Sequence, residues 1–418
     1  MIFSRQQLAI AIGVGMLVTF LASAIKGSYQ VYFLDLANSF GMGRGTFALT
    51  GAMFGLSIGL VSPVVGWVCD RYGAANTILS GAVVACFVFL ALAMTQSYWL
   101  FLILYGFMAA YAFAAMTFVP LGLLIDQIFS EQNKGMAFAA ITNGTAIGFM
   151  VLSPLWVWLN AFMSWNQISF GISVAFLFLV IPCVVWLSHV FPHKPNTECS
   201  EDVVTEESSL IQELAKAPFQ LLAISFAGCG VSMAYIDVHL VPLIQGRLAG
   251  VDSGTQILAS TLSSLGAAEL LGAFLVGWML RFSKPALLLV ALYAVRGLSL
   301  LLILNSSTLV NFLSFSILFG LTYMGTVIIT SLICLQIYGE KIKGKMFGFL
   351  FLVHQIAVFA TIWLGGIAFD LTHSYELVTL GVSSFCFASV IAGLILHWLF
   401  QKPESSDMKF DSHSQKLP

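Results

Sequence analysis

The sequence predicts an all-α membrane protein in which twelve transmembrane helices form two six-helix bundles. Three observations carry that prediction. The 418 residues are 59% hydrophobic and only 9% charged, whereas a soluble domain is roughly 25% charged. The apolar residues run in stretches of the length a bilayer requires, about 20 residues each. One long polar stretch, PHKPNTECSEDVVTEESSLIQELAKAP at 192–218, falls midway and divides those stretches six and six.

Cut at polar, Gly, Pro and Asn breaks, the first half reads 8–36, 46–69, 76–95, 98–128, 135–161 and 167–191. Arg5 precedes an apolar run too long for the core of a cleaved signal peptide, so the first stretch is read as an uncleaved span. The second half reads 219–245, 254–280, 286–304, 309–338, 345–369 and 376–400. All are too long and too continuously apolar for amphipathic barrel strands of about ten residues. Every backbone polar group in lipid needs an internal partner, so the spans are helices. The expected organisation is a bundle at 1–191, a cytoplasmic linker at 192–218, a second bundle at 219–400 and a disordered cytoplasmic tail at 401–418.

With both termini inside, all 17 Lys and Arg residues except Lys26, Arg44, Arg247 and Arg296 fall on the inner side, a strong positive-inside bias. A shift of 211 residues lays Gly55 on Gly266, Val65 on Val276, Gly66 on Gly277 and Trp67 on Trp278. Parallel halves of this kind mark one class of secondary transporter. The seven cysteines are scattered without metal or redox spacing and read as small packing residues. No Walker motif, nucleotide turn or metal cluster is present, so nothing points to ATP, a cofactor, a metal or nucleic acid.

GWVCDRYG at 66–73 is a polar break between the second and third spans. From its residues alone, Asp70 and Arg71 are charges ending a helix at the membrane surface. With the spans and the repeat, the chain resembles the major facilitator superfamily. That family's signature in this loop is Gly, three residues, Asp, Arg or Lys, one residue, Gly, then two basic residues. Gly66, Asp70, Arg71 and Gly73 fit it, and Ala74 and Ala75 depart from it. The resemblance implies alternating access, with Asp70 as a gate latch that caps or pairs with a helix end of the other half. LFGLTYMGTV (318–327), FGFLFLVHQIAVFATIWLGGIAFDLTHSYEL (347–377), AYIDVHLVPLIQ (234–245) and SYQVYFLDLANSFGMGRG (28–45) are similar to bacterial members of the monocarboxylate transporter group, related to oxalate:formate antiporters. This implies a small anionic solute, the bacterial inner membrane and action as a monomer.

A charge at mid-bilayer costs at least about 2.5 kcal/mol and is by default a functional candidate. Lys26, beside small Gly27 and Ser28, is a candidate anion site, although its stem could instead snorkel outward. Glu269 falls where the resemblance places an intramembrane carboxylate, but the family's basic residue four positions on is Ala273 here. That departure leaves amino acids or a carboxylate siderophore as alternative solutes. Glu269 and Arg296 each lie roughly 16 to 18 Å from one surface at about 1.5 Å per residue, so they are expected to pair, for proton coupling or for structure. A guanidinium keeps its proton, so protonation of the carboxylate would release it. His239, near Asp237 in the seventh helix, is a secondary solute candidate or an interhelical histidine. Gln355, next to His354, lies where the antiporter group places a basic residue. Tyr29 and Asn143 are candidate polar lining with Tyr105, Tyr235 and Tyr323, and Asp126 is a helix-end residue. A sensor would need a signalling domain larger than the linker or tail, and a channel would not need the repeat or the latch.

Overall fold

The computed structural model describes residues 4–191, 212–304 and 307–401. Most of the expected linker and tail therefore lies outside the described residues. Among the described residues twelve helices are long and apolar enough to cross a membrane. In chain order they are α1 (Arg5–Ser39), α2 (Arg44–Tyr72), α3 (Ala74–Met94), α4 (Tyr98–Ile128), α5 (Met136–Leu159) and α6 (Trp165–Val190). The second set is α7 (Ala217–Arg247), α8 (Gly254–Met279), α9 (Pro285–Leu302), α10 (Leu309–Gly339), α11 (Ile342–Thr372) and α12 (Glu376–Phe400).

Local sequence explains the helix ends. Ser4 with Gln7 and Ser164 with Gln167 form reciprocal capping boxes at the starts of α1 and α6. Pro285 opens α9, where its missing N–H costs nothing. Gly73, at φ 88°, both ends α2 and begins α3, a turn that only glycine makes without strain. Gly339, at φ 64°, likewise separates α10 from α11.

Short connections make successive helices antiparallel, so the even-numbered turns, such as Gly73 and Gly339, share the face that holds Ser4. The turns at 40–43 and 373–375 lie on the far face. The repeat expected from four residue matches extends to whole elements, because a shift of 211 carries Tyr98–Ile128 onto Leu309–Gly339. Both of those helices are interrupted, α4 at Met116–Thr117 and α10 at Tyr323–Met324. The amino-terminal bundle is filled by stacked rings from α1, α2 and α4, with Tyr29 4.6 Å from Tyr105 and 5.7 Å from Phe47 between ring centres. Gly144 and Gly148 of α5 sit directly on Thr19 and Ser23 of α1, the small-residue packing that lets membrane helices approach closely.

The two bundles meet along α1–α7, α2–α11 and α5–α8, and glycines set the approach. A Cβ on Gly45 would lie 2.8 Å from the Ile367 nitrogen, and one on Gly266 would lie 2.8 Å from that of Met150. Ser263 donates to the Met150 carbonyl at 3.0 Å. Towards the Ser4 face the contact ends, and Cβ atoms on Gly66, Gly277, Gly344 or Gly348 would meet nothing within 4 Å.

Candidate functional site

Lys26 of α1 and Asp237 of α7 meet between the bundles, with Nζ 2.9 Å from Oδ2. The two residues are 211 positions apart, the offset of the repeat. They therefore occupy equivalent places in the two halves, and the ion pair straddles the pseudo-two-fold axis. Its side chains keep 35% and 22% exposure, so a solute reaching the interface can touch both.

The surroundings orient the pair. Asp237 lies in a π-helical turn, Tyr235–His239, whose extra residue re-aims side chains relative to the rest of α7. Its Oδ1 accepts from the Tyr323 hydroxyl at 3.0 Å, beside the interruption in α10. Gln30, one turn along α1 from Lys26, donates to the Ile236 carbonyl at 2.6 Å. The Lys26 ammonium also stands 5.4 Å from the centre of the Phe113 ring of α4. Two helices from each bundle thus converge on one cation–anion pair.

Glu269 of α8 is buried, and its charged neighbours are Asp237, Lys26 and Arg296. The expected direct pair of Glu269 with Arg296 is not formed. Arg296 is fully buried and spends its donors on Ser232, Thr322, Tyr323 and Thr326, all neutral acceptors. The depth estimate could not see this, because depth along two helices says nothing about which way each side chain turns.

His239 departs from the expected solute role. Its Nε2 lies 3.1 Å from the Ile362 carbonyl and 3.3 Å from that of Thr361, which makes it an interhelical histidine joining α7 to α11. Tyr29 departs too, because its hydroxyl is taken up inside the amino-terminal bundle, 3.1 Å from the Gly51 N–H and 3.3 Å from the Phe47 carbonyl. Gln355 is buried with its stem against Gly59 of α2, at the edge of the bundle contact. Asn143 is half-buried in α5. His354 is buried, with both ring nitrogens lacking a partner among the described residues, between Phe226 and Phe351. Asp126 pairs with Lys134 at 3.2 Å at the Ser4 face.

The residues expected to form a gate stand on the side where the bundles part. Asp70 and Arg71 are exposed, and the Arg71 guanidinium rests 5.6 Å from the Trp67 ring centre and 5.7 Å from that of Tyr72. Asp70 makes no ion pair among the described residues. At the far face the bundles are joined by a different carboxylate. Asp370, at the end of α11, accepts from the N–H groups of Arg44 and Gly45 at 3.0 and 2.8 Å, capping the start of α2. The Arg44 guanidinium lies 3.7 Å from the Phe369 ring centre. Sequence reasoning passed over Asp370 and ranked Asp237 below His239. The repeat offset of Asp237 from Lys26 is the signal that would have raised it.

Twelve helices among the described residues, in two repeated halves that are closed together at one end and apart at the other around a half-buried pair of charges, define a membrane transporter. The Major Facilitator Superfamily profile matches residues 15–362, so the chain belongs to that superfamily. It is 26% identical over 387 residues, 89% of this chain and 91% of the relative, to the uncharacterized MFS-type transporter YcxA of Bacillus subtilis (strain 168). Its fold is similar to that of a bacterial homologue of the human lysosomal transporter Spinster. The occupied inward-facing form aligns at TM-score 0.72 with 13% identity, over 95% of this chain and 98% of that one. The unoccupied inward-facing form aligns at 0.66 with 13% identity, over 95% and 97%.

Proposed function

We propose that the chain moves a small anionic organic solute, of monocarboxylate type, across the bacterial inner membrane by proton-coupled alternating access, as a monomer with both termini in the cytoplasm. The observation that carries this reading is the Lys26–Asp237 pair, an ammonium half-open to the interface and held by a carboxylate that a solute carboxylate could replace. An opposite charge on the solute is attracted more strongly where water is partly excluded, as it is between the bundles. Glu269, buried beside the pair, is the carboxylate best placed to take up a proton as Asp237 is displaced. Arg296 has no carboxylate partner to exchange, so the coupling role expected for it passes to Asp237.

The positive-inside pattern makes the Ser4 face cytoplasmic. The separation at Gly66, Gly277 and Gly348 is then an inward opening, in keeping with the two inward-facing forms of the Spinster homologue whose fold is similar. A second reading, transport of an amino acid, is favoured by the same pair, because it offers both an ammonium and a carboxylate to a zwitterion.

The test is uptake of labelled short-chain carboxylates and amino acids into proteoliposomes, with and without an inward proton gradient. On the anion reading a carboxylate accumulates, Lys26→Gln loses it, and Glu269→Gln keeps exchange but loses response to the gradient. Uptake of an amino acid that both Lys26→Gln and Asp237→Asn abolish would favour the second reading. Uptake indifferent to both substitutions would sink the site assignment.

A further inference from the structure

Arg296 is the largest fully buried side chain among the described residues, in a helix, α9, that packs chiefly on helices of its own bundle. A buried charge needs a full set of partners, because removing it from water without them costs several kcal/mol. Here the partners share one location. Nη2 donates to the carbonyls of Thr322 and Tyr323 at 2.7 and 3.1 Å and to the Thr326 hydroxyl at 3.3 Å. Nε donates to the Thr322 hydroxyl at 3.1 Å, and Nη1 to the Ser232 hydroxyl at 2.9 Å. The Phe319 ring closes one side, 4.9 Å from the guanidinium carbon.

Four of those five bonds end at the interruption of α10. There the Tyr323 N–H turns back to the Gly320 carbonyl at 2.9 Å, and regular helix resumes at Gly325. Broken helices at membrane depth are tolerated where neighbouring groups satisfy the backbone at the break. The fifth bond ends on α7, five residues before Asp237. Glycines on either side clamp the break, since a Cβ on Gly320 would lie 2.6 Å from the Leu265 carbonyl oxygen and one on Gly325 2.7 Å from Val276. One cation in α9 therefore ties together α10, which supplies the Tyr323 hydroxyl, and α7, which supplies the Asp237 carboxylate that the hydroxyl meets.

We propose that Arg296 is a positioning residue: it holds the α10 break against α7 so that Tyr323 presents its hydroxyl to Asp237 and keeps that carboxylate aimed at Lys26. The inference rests on the reading of Lys26–Asp237 as the working pair. It makes Arg296 the fixed end of a chain that runs through Thr322–Tyr323 to Asp237 and Lys26, with no charge exchanged at Arg296 itself.

The test uses the full-length protein in proteoliposomes and sulfosuccinimidyl acetate as a probe, which acylates an amine free of its partner. Lys26 acylation is read by peptide mass spectrometry at fixed pH. Asp237→Asn is the control and raises acylation strongly. Tyr323→Phe and Arg296→Gln are each expected to raise it about tenfold, the size expected for losing one hydrogen bond to a charged group. The double variant rises no further than either single one, and Arg296→Lys restores part of the protection. If Arg296→Gln does not fold, Ser232→Ala removes one anchor of the guanidinium, and a several-fold rise supports the proposal.

The proposal is overturned if Arg296→Gln, or Ser232→Ala in its place, lowers the melting temperature but leaves Lys26 as protected as in the wild type. If Asp237→Asn itself leaves acylation unchanged, the ion-pair reading fails and takes the proposal with it. If Asp237→Asn and Tyr323→Phe raise acylation and Arg296→Gln does not, only the positioning role falls.

Discussion

The two ends of the α2–α11 contact differ in one respect. At the far face the Asp370 carboxylate of α11 caps the start of α2, and Gly45 leaves no room for a Cβ beside Ile367. At the Ser4 face α2 carries its own terminal carboxylate, Asp70, but Asp70 is exposed, and Cβ atoms on Gly66, Gly344 and Gly348 would touch nothing. Each end of the contact thus carries a carboxylate and glycines. Only one set is engaged. On the proposed alternating-access reading, that inequality would distinguish one state from the other, and the idle set at the Ser4 face would serve the opposite state.

Wedging the engaged end has the largest expected effect. Gly45→Val forces a side chain into the Ile367 backbone, and overpacking of this kind costs about 1–3 kcal/mol. Transport is expected to fall at least about tenfold. A cysteine placed at Ala48, which is fully buried, is expected to become reactive to a hydrophilic maleimide in the Gly45→Val background. Continued protection at Ala48 would mean that the far face does not open as a unit.

Removing the carboxylate is gentler. Asp370→Asn leaves the chain packed but weakens the cap on α2, at a cost of about 1 kcal/mol, so the same maleimide reaction should quicken several-fold. Arg44→Ala removes the guanidinium from the Phe369 face, worth about 0.5–1 kcal/mol at an exposed site, and should quicken it by a few-fold at most. A larger effect from Arg44→Ala than from Asp370→Asn would show that the ring contact, and not the cap, holds this end.

The smallest effect in this state belongs to Asp70→Asn. With no ion pair among the described residues to lose, its thermal stability should stay within about 0.5 kcal/mol of the wild type. Its transport rate should fall nonetheless if Asp70 latches the opposite state. Unchanged transport would mean that Asp70 ends a helix and does nothing more.

How much of this was legible before the structure depends on how local the cause is. The spans, their order and the six-and-six division follow from runs of apolar residues and one polar stretch, and the helices appear where those runs are. Even the turn at Gly73 is local, since the loop motif placed a glycine where the chain adopts φ 88°. The site was legible only in part. Lys26 stood out because a charge inside an apolar run is costly, and so did Glu269 and Arg296. Their partners did not stand out. Glu269 and Arg296 lie at similar depth, yet the guanidinium turns to the α10 break, while His239 and Tyr29 look polar and available but are bonded to backbone in α11 and α2.

The sequence by itself determined that the chain is a repeated set of membrane helices and which charges must be accommodated within them, because transfer into lipid is settled residue by residue. Only the tertiary structure decided which charges meet. Lys26 and Asp237 are brought together from 211 positions apart by the symmetry of the halves and a π-helical turn in α7. Arg296 meets α10 where that helix breaks. Such contacts depend on helix rotation, local winding and the closeness that glycines permit, and these are properties of pairs of helices that no single stretch of sequence contains.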